Sequence, residues 1–116
     1  MATNLDFTIV QGEDQELFTT QYLDEEGVAI NLTDCSFKMA AKDSIVSSPF
    51  LDFDSTVDVS NMVITGSSLA VKLTSAQSKA IEVSGGFYDL WIIDSLGQKF
   101  KLLYGNITVD RSVTDA

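Results

Sequence analysis

Apolar and polar residues alternate with period two in short runs along most of this chain, and Gly, Asn, Asp and Ser separate the runs. Residues 5–10 form the first run, closed by Gln11-Gly12. The second, 16–22, sets Leu17 and Thr19 against Phe18, Thr20 and Tyr22, and ends in the acidic turn Asp24-Glu25-Glu26-Gly27. Residues 28–32 then lead into 35–41, where Phe37, Met39 and Ala41 share one face. The stretch 43–55 is less regular, and Pro49 bars a central strand there. Strands are expected at 56–59 and 62–65, joined by Ser60-Asn61, and again at 67–73. Thr74 or Ser75 can cap a helix of one or two turns over 75–81. Gly85-Gly86 precedes the strongest strand pattern, 87–94, which turns at Ser95-Leu96-Gly97 and returns as 98–104. Gly105 reads as a bulge before a last run at 106–110. Seven to nine short strands with turn residues between them predict an all-β sandwich or small barrel.

One strand pairing can be derived. Asp94-Ser95-Leu96-Gly97-Gln98 fits a type I turn followed by a left-handed glycine, the three-residue hairpin with a G1 bulge. Asp94 then faces Gln98, Ile92 faces Phe100, Leu90 faces Leu102 and Tyr88 faces Tyr104, which assigns that side to the core. The other side pairs Ile93 with Lys99, Trp91 with Lys101 and Asp89 with Leu103. A two-residue turn at Leu96-Gly97 would place Lys101 opposite Ile92 and mix charge into the apolar side.

The 116 residues suit one domain, 1–116, with a polar tail at 111–116. Hydrophobic residues make up 45% of the chain, which places it among ordered globular sequences. Seven basic residues against seventeen acidic ones give a net charge of −10. That balance argues against nucleic acid, whose phosphates need clustered cations, and against an anionic membrane surface. Residues 1–5 show neither the basic nor the apolar part of a signal peptide, and no apolar run approaches the roughly 20 residues of a membrane span. Folding in a reducing cytoplasm is therefore the expectation, and the sequons at Asn31 and Asn106 carry little weight.

Catalytic chemistry finds no footing. Histidine is absent, which removes the commonest general base and metal ligand together with any Ser–His or Cys–His pair. Cys35 is alone, cannot form an intrachain disulfide, and has no cationic neighbour in sequence to activate it; it reads as a small buried hydrophobe. Asp52, Asp54 and Asp58 lack the central Gly and terminal Glu of a calcium loop, so they read as a solvated acidic loop. Gly85-Gly86 leads into a strand, not the helix that a phosphate loop requires. No catalytic residue, cofactor site or metal site is expected.

What remains is surface. The hairpin pairing sends Trp91 and Ile93 outward beside Phe87, Leu103, Lys99 and Lys101. A covering loop or N-terminal arm, a protein partner, or a sugar stacked on Trp91 would each account for such a strip. Sugar ranks last, because a lone aromatic is weak evidence for a ligand site.

The C-terminal half also resembles a known group. The short helix, Gly-Gly, Phe87-Tyr88-Asp89-Leu90-Trp91, Asp94-Ser95-Leu96-Gly97 and Gly105-Asn106-Ile107-Thr108-Val109 follow one another as in the small β-sandwich modules of tailed-phage virions, found in baseplate upper proteins and in tail-fibre collar and attachment proteins. Phe7-x-Ile9-x-Gln11-Gly12 and residues 27–33 fit more loosely, so the resemblance spans about 5–113. It implies an immunoglobulin-like β-sandwich acting as a non-enzymatic adaptor or ring component of a phage tail, collar or baseplate. Such a protein is made in the host cytoplasm, resides in the virion, and contacts other virion proteins and copies of itself. A capsid decoration (cement) protein would use the same fold on another lattice. A carbohydrate-recognition module contacting the host surface is the reading from another class.

Overall fold

The computed structural model describes residues 2–22, 26–28, 31–44 and 48–111. Its elements run β1 (Thr3–Asn4), β2 (Phe7–Val10), β3 (Gln15–Gln21), β4 (Ser36–Lys42), β5 (Leu51–Asp54), β6 (Met62–Thr65), β7 (Ser68–Leu73), α1 (Ser75–Lys79), β8 (Gly85–Ile93) and β9 (Lys99–Asp110). The larger sheet has the order β9-β8-β4-β5, with β1 and β2 both pairing parallel to β9 at its far side. The smaller sheet is antiparallel, in the order β3-β7-β6. Period-two alternation aims Phe37, Met39, Leu90 and Ile92 from one sheet at Phe18, Leu69 and Val71 from the other, and all are buried. This strand order, with a parallel first strand on the last one and repeated crossings between sheets, is that of an immunoglobulin-like β-sandwich.

Aromatic packing joins β3 to β8, the two strands that antibody domains link with a disulfide. Phe18 on β3 and Tyr88 on β8 have ring centroids 6.1 Å apart, and Phe7 on β2 sits 5.6 Å from the first and 4.9 Å from the second. At the other end of the smaller sheet, α1 is held by a capping box: the Thr74 hydroxyl accepts from the Gln77 N–H, and the Gln77 side chain accepts from the Thr74 N–H. Ser78, fully buried, bonds Gly12 and the Glu13 carbonyl, tying the helix to the turn after β2.

The hairpin turn forms as derived. Asp94 and Gln98 are bonded, the Gly97 N–H reaches the Asp94 carbonyl, and Gly97 has φ of 81°. Ile93 faces Lys99, Ile92 faces Phe100 and Trp91 faces Lys101. Beyond these pairs the expected register fails. A bulge between Leu90 and Trp91 inserts Leu102, so Leu90 faces Leu103, Asp89 faces Tyr104 and Tyr88 faces Gly105. The bulge thus lies at Leu102, and Gly105 is an ordinary position inside one continuous β9. Gly105 lacks a side chain for another reason: a Cβ there would overlap the Leu5 carbonyl and the Asp6 carboxylate, where the chain steps from β1 to β2.

Three other expectations are corrected. Residues 56–59 form no strand; the Val57 and Asp58 N–H groups fold back onto the Asp54 carbonyl. The missed strand is β5, an edge strand beginning just after Pro49, where that residue costs no ladder bond. Val28, Asn31 and Leu32 are not in a strand, while Ala29 and Ile30 lie outside the described residues. So do Asp24 and Glu25 of the acidic turn, and 112–116 of the polar tail.

Candidate functional site

The outer face of the larger sheet gathers what the sequence placed there and more. Along β8, Phe87, Asp89, Trp91 and Ile93 alternate with the buried Tyr88, Leu90 and Ile92. On β4 the positions opposite them are Lys42, Ala40, Lys38 and Ser36, and on β9 they are Asn106, Tyr104, Lys101 and Lys99. Phe87 is 40% exposed, Trp91 36% and Tyr104 43%, so three aromatic rings share one solvent-facing surface. Trp91 stands between two lysines. The Lys101 ammonium lies 5.5 Å from its ring centroid and also 3.8 Å from an Asp89 oxygen, an arrangement that fixes Lys101 along the sheet. Lys38 lies 3.9 Å from Asp54. Among the described residues, Lys42 and Lys99 have no carboxylate within ion-pair distance.

A shallow depression of about 580 Å³ opens on this face, lined by Phe87, Asp89, Tyr104, Lys42, Lys101, Asn4 and Asn106, with Ala40 and Gly105 in its floor. Two small residues, on the strands either side of β8, make the hollow, and long polar side chains and rings make its rim.

Of the residues expected here, Phe87, Trp91, Ile93, Lys99 and Lys101 are brought together. Leu103 is not: it is 7% exposed and belongs to the core, because the Leu102 bulge inverts every side chain between it and the strand end. The same inversion brings Tyr104 out, against the expectation that it would face Tyr88 inside. Phe100, expected in the core opposite Ile92, is 46% exposed and lies outside the core cluster. Lys38 and Lys42 were missed, although alternation against Phe37, Met39 and Ala41 signals their direction. Tyr104 had no such signal, since a bulge without glycine leaves no mark in the sequence.

The remaining candidate chemistry serves structure. Burial pushes the half-buried Cys35 thiol above its ordinary value, with help from Asp94 and Asp34, which opposes thiolate formation. The Thr56 hydroxyl and N–H hold the Asp54 carboxyl below its ordinary value, while Asp58 accepts from the Asp54 N–H. These acids staple a turn. Among the described residues no three His, Cys, Asp or Glu side chains come together as a metal site.

No protein-family model matches this chain, and no curated protein matches it. A solved structure similar to it is Drosophila OTK, extracellular domains 3–5, at 15% identity and a TM-score of 0.40. The match covers 90% of this chain and 32% of that one, so the chain spans about a third of the length of the structure it matches.

Proposed function

We propose that the protein is a non-enzymatic structural adaptor of a tailed-phage virion, in the tail, collar or baseplate, and that it binds an acidic surface of a neighbouring virion protein through the outer face of its larger sheet. The virion assignment is supported by the run of motifs from the helix to Val109. The mode of action is supported by one observation: Phe87, Trp91 and Tyr104 lie exposed among Lys38, Lys42, Lys99 and Lys101. Those are four of the seven basic residues of a chain with net charge −10, set against four carboxylates on the same face, Asp52, Asp54, Asp89 and Asp110. Aromatic residues supply desolvated contact area at interface centres, and lysines at the rim supply orientation and association rate more than affinity. The same chemistry on a capsid lattice would serve a decoration protein.

In particles assembled with the Trp91→Ala protein, incorporation is expected to fall at least about tenfold, the loss of roughly 1.4 kcal/mol that a central aromatic exceeds. The isolated variant should keep the wild-type circular dichroism and melt. Unchanged incorporation, or a variant that unfolds as a monomer, overturns the assignment of this face.

The depression favours a second reading, a carbohydrate module, because aromatic rings and hydrogen-bonding side chains ring one hollow. Chemical-shift changes confined to Asn4, Lys42, Tyr104 and Asn106 on titration with host-surface glycan would support it. Silence there leaves the protein-contact reading alone.

A further inference from the structure

We infer that the free edge of β3 is a self-association site, pairing with β3 of a second copy about a two-fold axis through Thr20. The inference goes beyond the adaptor reading and does not depend on the Trp91 face. In the constant-type immunoglobulin sandwich a first strand lies beside the strand equivalent to β3. Here both β1 and β2 pair with β9 instead, and among the described residues β3 ends its sheet with β7 on one side only.

The free groups can be counted from the ladder. The Tyr22 N–H bonds the Ser67 carbonyl, and the register pairs Thr20 with Leu69 and Phe18 with Val71. Antiparallel alternation therefore turns the N–H and C=O of Thr19 and Gln21 away from β7. Both residues are exposed, and among the described residues no hydrogen bond closes either backbone. The other edges are each interrupted by a local bond. Asp58 takes the Asp54 N–H of β5 with its carboxylate and the Met62 N–H of β6 with its carbonyl, and the Gln15 side chain takes both polar groups of Val10 on β2.

Charge selects a second copy as the occupant. On a chain of net charge −10, two copies repel almost anywhere they meet. Residues 17–22, Leu-Phe-Thr-Thr-Gln-Tyr, carry no charge at all. An antiparallel pairing about Thr20 sets Thr19 of each copy opposite Gln21 of the other, uses all four exposed backbone pairs, and places no like charges within the stretch.

Cross-linking tests the register in a Cys35→Ser background. Thr19→Cys and Gln21→Cys proteins, mixed and oxidised, should give a disulfide dimer, since residues opposite in this ladder have Cα atoms at bridging distance, about 5.5 Å. Each protein alone should cross-link no more than a Gln98→Cys control. Doubly substituting Thr19→Lys and Gln21→Lys opposes cations across the axis and should raise the dissociation constant in sedimentation at least about tenfold, with the melt of the isolated chain preserved. A wild-type mass that stays monomeric up to about 1 mM overturns the inference, as does equal cross-linking in single and mixed samples. Neither result bears on Trp91, whose test is particle incorporation.

Discussion

Tyr88 joins three parts of the molecule through one hydroxyl and one ring. Its O–H donates to the Leu5 carbonyl at 2.5 Å, exactly where the N-terminal segment steps over Gly105, and its ring packs edge-on to Phe7. Burial, and after it the Asp6 charge, push its phenol up to about 12 from an ordinary 10. The folded state thus prefers the neutral phenol. Its contribution is fully present below the unfolded value of 10 and is lost as pH rises from there through about 12. Tyr88→Phe removes the donor and leaves a part-buried carbonyl without it, so urea titration at neutral pH should show a loss of about 1–3 kcal/mol. The variant should also lose less stability than wild type over that alkaline window. An unchanged alkaline slope would assign the titration to another group.

At the scale of elements, β9 decides most of the architecture. Its Leu102 bulge sets which side chains of the second half face the core, and Gly105 lets the first two strands dock along it. Asp6 completes the step by accepting from the Asn106 N–H between the ladder of β1 with β9 and that of β2 with β9. Gly105→Ala would force a methyl group into the Leu5 carbonyl, an overpacking that costs about 1–3 kcal/mol. Hydrogen exchange locates the damage: amides of Leu5 and Asn106 should lose protection while those of β4 keep it. Uniform loss across both sheets would mean that the arm is not a separate unit of stability.

The molecule as a whole carries its charge unevenly, four of seven cations on one sheet face and an excess of carboxylates elsewhere. Self-repulsion at net charge −10 destabilises the compact state and is screened by salt. Raising ionic strength from about 10 to 150 mM should therefore raise the melting temperature, because the Debye length falls from about 30 to 8 Å. Calcium at equal ionic strength should do no more than sodium, and EDTA should do nothing, since no metal cluster exists among the described residues. A calcium-specific rise of several degrees would reveal a site in the acidic turns.

Period-two patterning was enough to place Tyr88, Leu90 and Ile92 inside and Phe87, Trp91 and Ile93 outside, because side chains of a strand must alternate whatever surrounds them. Turn chemistry was enough for the 94–98 hairpin, since the left-handed position at Gly97 belongs to glycine. A helix cap at Thr74 or Ser75 was legible for the same local reason, and the structure gives it to Thr74. Leu103, Tyr104 and Phe100 were not. Which residue of β9 takes up the bulge depends on how two strands must coil to reach across the sandwich, a condition that no residue of β9 expresses alone. The strand β5 in place of a run at 56–59 has the same origin, because its partner β4 lies outside the local sequence. Lysines 38, 42, 99 and 101 come from strands far apart in the chain. Only the order of strands in the folded sheet brings them around Trp91, and only the lack, among the described residues, of a second strand beside β3 leaves Thr19 and Gln21 open.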